Sequence, residues 1–317
     1  MFKRYIKCRR KYIATVIKKA KSELRRRKPV SFEKRDKTST MPFMIPSIAG
    51  FMLFFLIPFF IVLYYSFIDN PINQEFVAFD NYISLLRNHA FMLSLKNTLI
   101  FSVIAVPLAV IIPLILALFL ENNIPGKSIF RTALISPLVV PVASVILIWQ
   151  VVFHYNGVIN VFLDSVGIEA VDWFKSDFSR LVVVMLFLWK NTGYNMVLFM
   201  AALANIPIDV KEAALIDGVG PIRRFFRIKL NFMSSSIFFV TILSLINSFK
   251  VFREVYLLTG DYPYEGLYML QHYINNTFRS LDYQKLSAAA VIICIIITAI
   301  IALLFVIDNK LGSSVDE

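Results

Sequence analysis

The sequence predicts an all-α, polytopic membrane protein with about six transmembrane helices. Two observations carry this: long unbroken apolar runs, and positive charge gathered at one end of the chain. Of 317 residues, 58% are apolar, against roughly 45–50% in soluble domains. An apolar run of about 18 residues or more is long enough to cross a bilayer core of about 30 Å as a helix. The runs are continuous rather than alternating, which excludes the strands of a lipid-facing barrel.

Six spans follow, at residues 43–68, 97–120, 130–153, 180–202, 235–258 and 286–307. Pro58, Pro107, Pro113, Pro137 and Pro141 fall inside or near them. Membrane helices tolerate proline where neighbours satisfy the freed carbonyls. The fourth and fifth spans are the most polar.

The formal net charge is +12, and residues 1–42 hold 16 Lys/Arg against three acids. Beside a first span, such charge sets orientation or meets anionic lipid rather than nucleic acid. With the amino terminus inside, the cytoplasmic segments are 1–42, 121–129, 203–234 and 308–317, with 16, one, five and one Lys/Arg. The external segments share six, counting Arg180 at the outer edge of the fourth span. Both termini are therefore expected in the cytoplasm. In the arm, Phe2, Tyr5, Ile6, Tyr12, Ile13, Val16, Ile17 and Ala20 fall close to one helical face, as in a helix lying in the membrane surface. A targeting peptide and an unstructured orienting arm are the other readings. The domain plan is thus a basic arm (1–42), a six-helix membrane body (43–307) with a cytoplasmic loop inside it (203–234), and a short tail (308–317).

Cys8 and Cys294 are the two cysteines. One is expected in the cytoplasm and the other in the last span, so no disulfide joins them. Neither has metal-ligand spacing. His89, His154 and His272 are scattered. No catalytic set or metal cluster is visible, so an enzyme is not expected. Gly126, Lys127 and Ser128 look like the end of a phosphate-binding loop, but the pattern needs glycine where Glu121 stands. The chain is expected to bind no cofactor itself.

The most informative segment is 206–230. Pro207 ends the preceding helix. Asp209 and Glu212 have capping-box spacing. Ala213 and Ala214 offer a narrow surface for close approach. Gly218 suits a left-handed helix end, and Pro221 the first turn of the next helix. Arg223, Arg224, Arg227 and Lys229 then lie near the inner membrane surface. The bland account is an amphipathic loop, which explains the basic residues alone. The string Glu212, Ala213, Ala214, Asp217 and Gly218, followed by Phe225, Ile228 and Leu230, resembles the EAA loop of ABC importer permeases of the sugar type. Val219 and Asn231 depart from that pattern, where the family has alanine and proline. The likeness extends over most of the chain beyond about residue 40. Residues 76–82 with Asn97 and Thr98 look like the family's first external loop. Residues 156–160 with Asp172 and Trp173 look like its second.

The resemblance implies a type I ABC importer permease fold and a bacterial cytoplasmic-membrane location. It implies four kinds of partner: a second homologous permease, an ABC ATPase dimer carrying ATP and Mg, an extracellular solute-binding protein, and membrane lipid. Glu212, Ala213, Ala214, Asp217 and Gly218 would form the helix that docks on the ATPase. The cargo would be a mono- or oligosaccharide. An ABC permease for a non-sugar solute such as glycerol phosphate is the near alternative. A secondary transporter working alone is the distant one, since that class often carries midplane carboxylates and none is expected here.

Intramembrane charge is a functional candidate. Lys190 is expected about 15 Å into the fourth span at about 1.5 Å per residue. With Asn191, Tyr194 and Asn195 it suits a wet path wall, faced by Asn247 and Ser248 on the fifth. Arg253 and Glu254 are read as reaching the outer interface, with Lys250 paired or snorkelling.

Overall fold

The computed structural model describes residues 44–122 and 124–312. The basic arm, its apolar face, Cys8 and the end of the tail lie outside the described residues. The chain divides into two units, Met1–Ile61 and Val62–Glu317. Five helices are long and apolar enough to cross a membrane, or six if a bent pair counts as one span. They are α1 (Met44–Tyr65), α3 (His89–Glu121), α7 (Ser179–Ala204), the run Pro221–Thr259, and α13 (Tyr283–Gly312). The bent pair is α4 (Lys127–Val139) with α5 (Val142–Val152). Among the described residues, extended structure amounts to one isolated bridge, Ile68 to Phe76.

In the first unit the chain passes through a π-helical turn at Met52–Leu56. Pro58 follows within two residues and has no N–H to give to the Phe54 carbonyl. A π turn is a known way for a helix to absorb such a defect.

In the second unit, α3 is the central post. Ala105, Ala109 and Ala117 are fully buried on it, at multiples of four residues. Small side chains along one face let neighbouring backbones approach closely. Helices α7 and α10 (Leu230–Phe249) pack there. The outer part of the core gathers Phe101, Val183, Phe187, Val255 and Leu267. The inner part gathers Ala117, Met196, Phe199, Met233 and Val240. Helix α4 meets α7 at Gly193, where a Cβ would fall 1.9 Å from the Leu134 carbonyl oxygen. Only glycine permits that backbone contact.

Two prolines inside helices show how the carbonyls they free are satisfied. Pro113 cannot donate to Ala109, four residues back. Asn195 of α7 supplies the missing donor to the Ala109 oxygen at 2.8 Å. Pro137 frees the Ala133 oxygen, and Ser136 donates to it at 2.8 Å. Pro141 behaves differently and corrects the expected span at 130–153. Val140, before it, is pushed into the extended region, at φ −77° and ψ 132°, as prolines demand of their predecessor. The helix breaks there and turns by 102°. The run Pro221–Thr259 is also interrupted. After α9 (Pro221–Arg224) and a π turn at Phe225–Lys229, α10 ends at Phe249 and α11 (Phe252–Thr259) follows.

The segments expected outside the membrane are short and tightly tied. The first carries α2 (Asp80–Arg87). Asn81 donates to the Ser66 and Ile68 carbonyls, and Tyr82 hydrogen-bonds Ser66. The second carries α6 (Val158–Ser165), where buried Asn160 takes a bond from the Trp173 indole and donates to Tyr155 and Val171. The last carries α12 (Leu270–Arg279), held to α3 through Asn97 and Thr98.

Candidate functional site

Two regions answer the sequence expectations. The first is the inner loop between α7 and α10. Helix α8 runs Ile208–Ile216 with Pro207 at its cap and no side-chain capping bond. The expected capping box is therefore not formed. Pro207 itself takes the non-helical cap position, at ψ 138°. Asp209 is thereby inside the first turn, where its charge suits the helix dipole. The other end is as a left-handed cap requires. Gly218 sits at φ +67°. Its N–H donates to Leu215, and Val219 N–H donates to Ala214, both at 3.1 Å. This is a Schellman closure, with its positive-φ glycine.

Glu212, Ala213, Asp217 and Gly218 are exposed, whereas Ala214 is buried against its own chain. Ala214 thus does not share the exposed face expected of it. That face is instead apolar: Ile208, Leu215, Ile216 and Ile222 stand out, Ile216 with 87% of its surface exposed. The loop is fixed to the bundle through Glu121, the last residue of α3. Lys211 of α8 donates to one carboxylate oxygen at 3.3 Å, and Lys229 of the π turn donates to the other. Lys211 also donates to the Leu203 carbonyl at the end of α7. Sequence reading missed Glu121. Its signal is a lone acid at the end of a span, facing basic segments that the charge bias assigns to the cytoplasm.

The second region lies where α7, α10 and α11 meet. Asn247 donates to Asn191 at 3.1 Å, and Asn191 donates to its own helix at Phe187. Both are partly exposed, and Tyr194 is exposed. Two of the six expected wall residues turn inward. Asn195 is buried, bridging the Ala109 oxygen and Ser244. Ser248 is fully buried and shares a hydrogen bond with Ser102 of α3 at 2.8 Å. They brace helices rather than line a wall.

Lys190 pairs with Glu254 of α11, and Glu254 is buried. Glu254, read from sequence as an exposed interfacial acid, is instead buried against Lys190. Lys190 is eleven residues along α7, about 16 Å from its outer end. A lysine at such depth needs a counter-charge, and that need is the signal which points to an acid on the neighbouring span. Lys250 and Arg253 are exposed beside this pair. Among the described residues no group of three or more potential metal ligands gathers.

Comparison with known proteins gives concordant findings. The model for binding-protein-dependent transport system inner membrane components matches residues 95–315. The sn-glycerol-3-phosphate transport system permease protein of Yersinia enterocolitica is 31% identical over 275 residues, covering 84% of this chain and 93% of that protein. The lactose transport system permease protein of Rhizobium radiobacter is 31% identical over 270 residues, covering 83% and 91%. Among solved structures, a bacterial ABC transporter involved in importing the acidic polysaccharide alginate superposes with a TM-score of 0.77. The alignment is 22% identical and covers 87% of this chain and 96% of that one.

Proposed function

The chain belongs to the binding-protein-dependent transport system inner membrane components, and from that membership we propose that it carries a polyhydroxylated solute, a mono- or oligosaccharide or glycerol phosphate, through the cell membrane. It is a multi-pass membrane protein and a permease subunit rather than an enzyme, in an importer served by a binding protein. The relatives named for glycerol 3-phosphate and lactose share a cargo rich in hydroxyls. The amides of Asn191 and Asn247 and the ring of Tyr194 suit such groups, offering hydrogen bonds and a flat apolar face.

A second permease of similar fold completes the pathway, and an ABC ATPase pair with ATP and Mg drives it. Both termini lie in the cytoplasm, by the charge bias of the arm and the 203–234 segment. The observation that carries this reading is the exposed apolar face of α8, closed by the Gly218 turn. A contiguous apolar face such as Ile216, Leu215 and Ile208 marks a surface for a partner. The ATPase is its occupant, and Glu212 and Asp217 flank the contact. ATP-driven closure of the ATPase pair then moves α8 and, through Glu121, the inner ends of α3 and α10. The movement needs different contacts in the two states.

The test is reconstitution of the permease pair, ATPase and binding protein in liposomes. Ile216→Asp is expected to leave insertion intact, to release the ATPase on purification, and to abolish ATP-driven uptake. Retained ATPase and unchanged uptake would overturn the coupling assignment.

A further inference from the structure

We propose that Lys250 and Arg253 form a recognition site for an oxyanion, a carboxylate or phosphate, on the solute this subunit carries. The inference rests on the permease reading above and adds the charge of its cargo. The two cations open onto a cleft of about 490 Å³ that also touches Tyr256, Leu257 and Gln271, a volume that suits a glycerol phosphate or a single sugar unit.

Depth makes these charges informative. Glu254 is held by Lys190, about 16 Å along α7 from its outer end. Lys250 and Arg253 lie within about one helical turn of Glu254, no more than about 6 Å along the helix. Charge at that level is costly unless it faces protein or water. Lys190 has its counter-charge. Among the described residues, Lys250 and Arg253 have no ion-pair partner. Glu254 is the single acid lining the cleft, and its engagement with Lys190 leaves two positive charges facing the open volume. The cleft also continues the path. Asn247, one residue short of a turn below Lys250, holds Asn191. Arginine presents a planar fork that fits carboxylate or phosphate with two parallel bonds, and lysine adds a point charge. A neutral sugar offers these cations hydroxyl acceptors but no counter-charge.

The experiment uses the full importer in liposomes, with Cys8→Ser, Cys294→Ser and Leu257→Cys in this chain. Leu257 lines the cleft and is 40% exposed. The rate of thiol modification is measured with an anionic and a cationic methanethiosulfonate of equal size. The anionic reagent is expected to react at least about tenfold faster. Glycerol 3-phosphate or digalacturonate should slow it where lactose does not, and Lys250→Gln with Arg253→Gln should remove both effects. Equal rates for the two reagents would overturn the proposal. So would an unreactive thiol, which places lipid or the second permease over the cleft. Protection by lactose alone also overturns it, while leaving the permease reading intact. A complex in which no solute is taken up with ATP overturns the permease reading itself.

Discussion

At the scale of single residues, the arrangement of α3 and α7 turns on a carbonyl. Pro113 gives no N–H, and the Ala109 oxygen it leaves free would be an unpaired acceptor inside the bundle. Asn195 answers it and uses Ser244 as a second partner. An unsatisfied buried polar group costs about 1–3 kcal/mol. Asn195→Ala should therefore lower the thermal stability of the detergent-solubilised protein by a cost of that order. Pro113→Ala restores a backbone donor to Ala109. The loss from Asn195→Ala should be partly recovered in the double variant, giving a coupling energy of about 1 kcal/mol. Additive losses would show that Asn195 acts through packing instead. The same residue shows a limit of sequence reading. An asparagine two turns from a span's inner end reads equally as a path wall or as a brace. The choice depends on a proline 82 positions earlier, and no pattern within α7 reveals the Ala109 carbonyl it frees. Ser248 has the same history, since its partner Ser102 lies on α3.

At the scale of elements, the inner loop is legible in part. Gly218 and Pro221 announce a turn between two helices, and the left-handed glycine is where that turn requires it. The start of α8 is not legible in the same way, because Pro207 and Asp209 compete for the cap and proline's fixed φ settles the register two residues early. Gly218 has open space around it, so Gly218→Ala meets only the left-handed strain of about 1–2 kcal/mol. Gly218→Pro forces φ to about −65° and deletes the donor to Leu215. We expect the alanine variant to transport at a reduced rate and the proline variant to insert normally yet transport nothing. Equal behaviour of the two in an uptake assay would refute a conformational role for the turn. Glu121 makes a second, independent prediction. Glu121→Gln keeps the shape but loses the charge that holds both Lys211 and Lys229. ATP hydrolysis should continue while uptake per ATP falls several-fold, and a fall in both together would mean the loop has simply come apart. Outside the spans, His272 of α12 is fully buried. Desolvation pushes it down to about 4, against a smaller opposing effect of Asp261. The folded value lies below the unfolded one, so the open segment binds the proton more readily. Stability of the 264–279 segment should hold above about pH 6.5 and drain as pH falls toward 4. Amide exchange there should quicken over that window, and His272→Asn should flatten the response.

At the scale of the whole molecule, the membrane-spanning class was open to sequence reading because long apolar runs have few other uses. What escaped was where a run stops being one helix. Pro113, Pro137 and Pro141 look alike in sequence. The first two are absorbed, by Asn195 and by Ser136. At Pro141 the extended Val140 breaks the span by 102°. The run Pro221–Thr259 is interrupted between Phe249 and Phe252 without a comparable bend. Near the interruption, Lys190 of α7 meets Glu254 of α11, and Asn191 meets Asn247. Irregular backbone at membrane depth is tolerated only where it is buried in protein or lines a wet cavity. The partly exposed residues at this interruption should therefore meet water during transport, and the buried ones should not. Cysteines at Asn191 and Asn247, tested one at a time in the assembled importer, should react with a small aqueous thiol reagent in at least one of the inward- and outward-facing states. Cargo should slow them. A cysteine at Asn195 should stay unreactive in both, because its side chain is enclosed between α3 and α10. Reaction at Asn195 alone would move the path to the far side of α7, between that helix and the central post.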